Sequence, residues 1–132
     1  MKKLLVLIAV ALAAFLNAGC STLADAKAAR GSGVSKTYDQ PYDAVWDAVL
    51  ASVKESGLDL VSGDKGTGTV LAQRGMTAFS YGENVAVFVD RVDGKVSTRV
   101  EVVNKRTLAT NITAADWSTR LFATLDKKLA PH

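Results

Sequence analysis

Side chains that could carry out catalysis are scarce in this 132-residue chain. The only cysteine is Cys20, and the only histidine is His132, the last residue, where chain ends commonly fray. A Ser-His-Asp or Cys-His arrangement therefore cannot be built, and a zinc site lacks a set of ligands. We predict that the protein is not an enzyme and that it holds no metal and no dissociable cofactor.

Two other patterns suggest ligand binding less specifically. Glu83, Asp90 and Asp93 could bind a hard cation such as calcium, although solvated turn carboxylates are the commoner case. Residues 63–68 are rich in glycine, but no Gly-Lys-Ser/Thr sequence closes this segment and no helix pattern follows it. A turn between two strands is therefore favoured over a phosphate-binding loop.

The N-terminus has the organisation of an export signal. Lys2 and Lys3 precede an unbroken apolar run from Leu4 to Leu16, and small residues follow. As a helix this run spans about 20 Å, which is short of the roughly 30 Å hydrocarbon core and disfavours a permanent transmembrane anchor. Residues 1–19 are predicted to be a signal peptide.

The sequence Leu16-Asn17-Ala18-Gly19-Cys20 resembles the lipobox of bacterial lipoproteins, with Asn17 where an aliphatic residue is usual. The resemblance implies cleavage before Cys20 and a covalent lipid on its sulfur, with each buried methylene contributing about 0.8 kcal/mol to membrane attachment. By resemblance to the sorting rule of enteric bacteria, Ser21 indicates the outer membrane, on its periplasmic face or at the cell surface. The alternative is a secretory signal cut near Ala18, which leaves Cys20 as a free thiol.

The mature chain is predicted to be one domain preceded by a linker. Residues 20–33 are small and polar and end in Gly-Ser-Gly, so we interpret them as a flexible tether, in which 24–30 could form a transient helical turn. Residues 34–132 are sufficient for a single core. The net charge of +3 includes Lys2 and Lys3, and the other cations are interspersed with acids, so nucleic-acid binding is not expected.

The hydrophobic pattern predicts an α+β domain. Strands are expected at 34–39, 58–62, 69–74, 84–92 and 95–104, the last two joined by a tight Asp93-Gly94 turn, with 75–82 a loop or a short extra strand. Pro41 and Gly57 bracket one helix, and a capping-box sequence at 113–116 starts another that runs to about residue 130. The order β-α-β-β-(β)-β-β-α gives an antiparallel sheet of four to six strands with two helices packed on one face. The predicted core is Tyr42, Val45, Trp46, Val49, Leu60, Val70, Val87, Val100, Val102, Trp117, Leu121 and Leu125.

The same pattern predicts a binding surface on the sheet. Arg99 and Glu101 occupy the polar positions of a strand in which apolar and polar residues alternate, so their face of the sheet is expected to be exposed to solvent. The strand at 84–92 is apolar on both faces, which fits either a central strand or an uncovered patch around Phe88. Phe79 and Tyr81 are the apolar residues of the neighbouring ambiguous segment and are expected to be exposed with it.

Four segments carry a resemblance to a family: 42–49, 56–58, 66–70 and 97–102. They resemble small proteobacterial lipoprotein domains of uncharacterised function and are similar to the helix-grip domains of BamC, a lipoprotein of the outer-membrane assembly machine. The resemblance implies a fold and a general association with the envelope.

Two functions fit these observations. The first is an outer-membrane-anchored lipoprotein whose non-catalytic domain binds an envelope protein, and which host antibodies could recognise if it reaches the cell surface. The second is a carrier of a small hydrophobic ligand or lipid, held in a cavity lined by Trp46, Phe79, Tyr81, Phe88 and Trp117. The oligomeric state stays open.

Overall fold

The computed structural model of the chain describes residues 1–3, 22–75, 82–106 and 116–131. Within these ranges the fold is α+β, with three helices and a five-stranded antiparallel open sheet of order β1-β5-β4-β3-β2. None of the described helices has the length and apolar composition needed to cross a bilayer. In chain order the elements are α1 (Leu23–Ala28), β1 (Val34–Tyr38), α2 (Tyr42–Glu55), β2 (Asp59–Asp64), β3 (Thr69–Arg74), β4 (Glu83–Arg91), β5 (Thr98–Arg106) and α3 (Trp117–Lys128).

Helix α2 follows its sequence signals closely. Pro41 occupies the N-cap with φ −65°, the angle to which its ring restricts it, and Gly57 follows the C-cap residue Ser56. Val45 and Val49 lie on the buried face, as their spacing of four predicts. The predicted start and end of this helix are confirmed.

Helix α3 packs beside α2 on the same face of the sheet. Its N-cap is Asp116, whose carboxylate accepts a hydrogen bond from the backbone N–H of Thr119 at 3.3 Å. Leu121 and Leu125 are buried and form its apolar stripe. The Thr113 start of the predicted capping box lies outside the described residues.

Both predicted hairpins are present. In the hairpin of β4 and β5 the register runs without a break from Glu83 opposite Arg106 to Arg91 opposite Thr98. The turn is wider than predicted, because the N–H of Val92 donates to the carbonyl of Ser97 at 3.0 Å and leaves a four-residue loop with Gly94 at φ +71°. The predicted strand 95–104 would place Val96 on the buried face together with Val100 and Val102, but Val96 lies in the loop and is 73% exposed.

The main core fills the space between the sheet and the helices α2 and α3. The predicted core residues all belong to it except Leu60, which is 37% exposed. Leu60 lies on β2, an edge strand that carries a β-bulge between Leu60 and Ser62. The bulge shifts the register there, and an edge position has a neighbouring strand on one side only.

The other face of the sheet carries α1, and here the tether prediction does not hold from Thr22 onward. Ala26 of α1 is fully buried against Ala86, Phe88 and Val103. The strand β4 is thus the central strand, and both of its faces are covered. This explains why its sequence is apolar at the positions that point to either face. The segment 75–82, predicted as loop or strand, falls mostly outside the described residues.

Candidate functional site

The short helix α1 is held at its start by a capping box. The hydroxyl of Thr22 accepts from the N–H of Asp25 at 3.2 Å, and the Asp25 carboxylate accepts from the N–H of Thr22 at 2.6 Å. These bonds from Thr22 hold the pKa of Asp25 below its usual range, and the positive charge of Lys105 lowers it further. Because Lys105 lies near the end of β5, α1 begins at the base of the sheet, where β4 starts and β5 ends.

A buried carboxylate fixes the chain that follows α1. Glu101 is 1% exposed, and its Oε1 accepts hydrogen bonds from the backbone N–H groups of Gly31 at 2.7 Å and Gly33 at 2.9 Å. Its Oε2 has no hydrogen-bond partner among the described residues. Glu101 therefore clamps residues 31–33 against β5, with half of its acceptor capacity unused.

Arg30 completes the attachment near the other end of the sheet. Its guanidinium forms a salt bridge with Asp90 and lies 4.8 Å from the centroid of the Phe88 ring. Asp90 also lies 3.8 Å from Arg99. The helix α1 therefore runs from the base of the sheet toward the hairpin end, where residues 92–97 connect β4 to β5.

These contacts correct the predicted binding surface. Glu101 and Phe88 are each 1% exposed, because α1 and residues 29–33 cover the face that the alternation of β5 predicted to be wet. Arg99 is exposed, as predicted, and faces Asp90. Cys20, Phe79 and Tyr81 lie outside the described residues.

A different surface exists at the hairpin end. A cleft of about 370 Å³ opens between the start of α2 and the loop that connects β4 to β5. Its lining combines apolar residues with charged ones: Pro41, Tyr42, Arg91, Val92, Asp93, Gly94, Lys95, Val96 and Ser97. The volume is in the range of small-ligand and peptide pockets, although the cleft is open on one side.

The cleft is built around the pair Arg91 and Tyr42. The Arg91 guanidinium lies 3.9 Å from the centroid of the Tyr42 ring, a cation–π contact. Tyr42 donates its hydroxyl hydrogen to the carbonyl of Lys65 at 2.6 Å, which fixes the ring. Burial raises the pKa of Tyr42, and the nearby Arg91 charge partly opposes that shift.

Two carboxylates near Arg91 are paired with other cations. Asp43 pairs with Lys65 at 2.9 Å, and Asp90 pairs with Arg30. The bond from Lys65 holds the pKa of Asp43 below its usual range. Arg91 lines the cleft and has no ion pair with any described residue.

At the base of the sheet a buried hydrogen bond joins Trp117 of α3 to Glu83 of β4. The indole N–H of Trp117 donates to the buried carboxylate of Glu83 at 3.2 Å, and Arg74 and Arg120 lie over the Trp117 ring at 5.6 and 5.2 Å. Glu83 begins β4 and Asp90 lies near its end, so these two carboxylates of the possible cation site are at opposite ends of the strand. Within the described ranges no group of three His, Cys, Asp or Glu side chains is placed to hold a metal ion.

Sequence reasoning missed the cleft. The predicted two-residue turn at Asp93-Gly94 places Arg91 within the strand 84–92 and Val96 within the strand 95–104, so neither residue is expected to line a cleft. The available signal was the cluster of charges at 91–95 beside Pro41 and Tyr42, but its meaning depends on bringing the start of α2 to the hairpin.

No protein-family model matches the chain, and no curated protein matches it. The crystal structure of Ara h 8.0201 is similar with a TM-score of 0.49 and 11% sequence identity, covering 74% of this chain and 96% of that chain.

Proposed function

We propose that this protein is a lipid-anchored, non-catalytic binding module of the bacterial envelope, which contacts a protein partner through the cleft at the hairpin end. The sequence supports the anchor through its export signal and Cys20, and Ser21 favours the outer membrane. The observation that carries the proposal is the placement of α1, whose N-cap Thr22 lies two residues after Cys20 and which is packed on the sheet.

This placement separates the attachment point from the cleft. Two residues span at most about 7 Å, so a lipid on Cys20 would lie close to Thr22 at the base of the sheet. The nine residues of β4 extend about 30 Å from the base to the hairpin end. A domain attached this way presents its cleft on the side away from the bilayer, where a partner can reach it.

The contact with the partner is expected to be of modest strength. The cleft is lined by nine residues, whereas each side of a standard protein interface contributes about 20–30 residues. Attachment of both molecules to the same envelope raises their effective concentration and compensates for a weak contact.

The carrier function receives less support. Of the aromatic residues proposed to line one cavity, Trp46 and Trp117 belong to the core under α2 and α3, whereas Phe88 belongs to the cluster under α1. The sheet separates the two sets, so these three side chains cannot surround one ligand.

The anchor is tested by the intact mass of the protein isolated from bacterial membranes, compared with Cys20→Ala. We expect a lipid-sized increment on a chain that begins at Cys20, and its loss in the variant. An unmodified chain cut near Ala18 would refute the anchor and leave a secreted domain with a free thiol.

The cleft is tested by photo-crosslinking in cells. A photoreactive amino acid replaces Val96 in the cleft or, as the control, Val61, which is 50% exposed on the edge strand β2. We expect an adduct with an envelope protein at position 96, identified by mass spectrometry, and not at position 61. Equal adducts at both positions, or none at 96, would contradict this site.

A further inference from the structure

Arg91 lines the open cleft, lies over the Tyr42 ring and has no ion pair with a described residue. Its contact with the Tyr42 ring orients the guanidinium plane without using the donors at its edge. That arrangement reduces the side-chain freedom lost on binding, which is a large part of the cost of immobilising an arginine.

The charges around the cleft favour an anionic group. Arg91 and Lys95 line it together with a single acid, Asp93, and the carboxylates of Asp43 and Asp90 are already paired with other cations. A guanidinium presents a planar fork that matches the two oxygens of a carboxylate.

The apolar part of the cleft limits what kind of anion fits. Pro41, Val92 and Val96 lie among the lining residues, and the side chain of Val96 is 73% exposed. A small hydrated ion would leave Val96 uncovered, whereas a peptide with an aliphatic side chain beside its carboxylate would cover it.

We propose that the cleft binds a carboxylate of an extended segment of its protein partner, with the carboxylate on Arg91 and a neighbouring aliphatic side chain against Val96. The carboxylate comes from the chain's C-terminus or from an Asp or Glu side chain. This inference rests on the proposed function, because it assumes that the cleft is the partner-binding site.

The test measures fluorescence anisotropy with the full-length protein in detergent and labelled tetrapeptides. One probe is Gly-Gly-Val-Leu with a free C-terminal carboxylate, the second is the same peptide with a C-terminal amide, and the third is amidated Gly-Gly-Val-Glu. We expect at least one acidic probe to bind about fivefold or more tightly than the neutral amide. The ratio between the first and third probes identifies the source of the carboxylate.

Two variants separate the role of Arg91 from general surface charge. Arg91→Gln is expected to remove the preference for the acidic probes, whereas Arg99→Gln removes an exposed arginine on the opposite face of the same hairpin and should keep it. Thermal unfolding of both variants checks that the fold is intact. Equal binding of acidic and neutral probes, an unchanged preference in Arg91→Gln, or equal competition by inorganic phosphate would overturn the proposal.

The outcomes also distinguish this inference from the proposed function. If the crosslink at position 96 forms equally well in Arg91→Gln, the cleft binds a partner but not through a carboxylate. If the acidic probe binds through Arg91 while cells give no crosslink at position 96, the ligand class holds and the protein-partner function fails.

Discussion

Replacing Glu101 by alanine should release the segment that joins α1 to β1. The Glu101 Oε1 accepts two backbone N–H groups, and hydrogen bonds to a charged acceptor each contribute about 1.5–3 kcal/mol. The unpartnered Oε2 offsets part of this gain, because a buried polar atom without a hydrogen bond is costly. We therefore expect a net loss of about 2–3 kcal/mol in the free energy of docking of this segment.

This loss should be local, because α1 has only six residues and a helix of that length is not stable by itself. Hydrogen exchange of the Gly31 and Gly33 amides reports the docking directly. With tenfold for every 1.4 kcal/mol, exchange at these amides should accelerate by roughly thirty- to a hundredfold in Glu101→Ala. Amides of the central strand, such as that of Val87, should keep their protection.

Glu101→Gln is the matched control. Its amide oxygen can accept both N–H groups, and the neutral side chain is less costly to bury than a carboxylate with a free oxygen. Exchange at Gly31 and Gly33 should therefore change by less than about tenfold. Unchanged exchange in Glu101→Ala, or equal acceleration in both variants, would refute the clamp.

Two further predictions concern stability. Gly68→Ala should destabilise the domain by more than about 2 kcal/mol in urea unfolding, because a Cβ at φ +66° would lie 2.0 Å from the Val89 carbonyl oxygen. In the control Gly94→Ala the added Cβ meets no atom within 4 Å, so the variant should lose only about 1 kcal/mol to its positive φ. Similar losses in the two variants would contradict this reasoning. Asp116→Ala should remove about 1 kcal/mol at neutral pH by deleting the N-cap of α3. Bonds from Ser118 and Thr119 lower the pKa of Asp116 to about 2, so this stabilisation is present above pH 4 and is lost as pH falls toward 2. Urea titrations at pH 7 and pH 2 should therefore show the difference between the two proteins shrinking, and a pH-independent difference would exclude the carboxylate as its source.

Local sequence signals predicted those parts of the fold whose physics is local. Pro41 and Gly57 bracket α2 because proline fits the start of a helix and glycine the residue after its C-cap. The same holds for the β4–β5 hairpin, although the Asp93-Gly94 signal gave a turn two residues too short. The loop length depends on where strand pairing ends, and pairing involves both strands rather than the dipeptide.

The sequence predicted only a transient helical turn at 24–30, and not the docked helix α1, because the stability of this helix comes from the sheet. It buries Ala26 and packs Ala29 partly, so its own sequence carries almost no amphipathic pattern. The apolar residues Ala86 and Phe88 on the second face of β4 were the signal that something covers them, but they do not say which segment does. Glu101 was accordingly placed in solvent, where an isolated alternating strand would put it.

The sequence by itself determined the α+β class and the scarcity of catalytic side chains. It also determined the succession of the strands and of the helices α2 and α3 along the chain, because composition and hydrophobic period depend on neighbouring residues. Only the tertiary structure decided that residues 22–33 are docked and that Arg91, Tyr42 and Val96 share a cleft. Those contacts join segments far apart in the chain, such as Gly31 with Glu101. Their formation depends on how strands and helices assemble around one core, which no local pattern records.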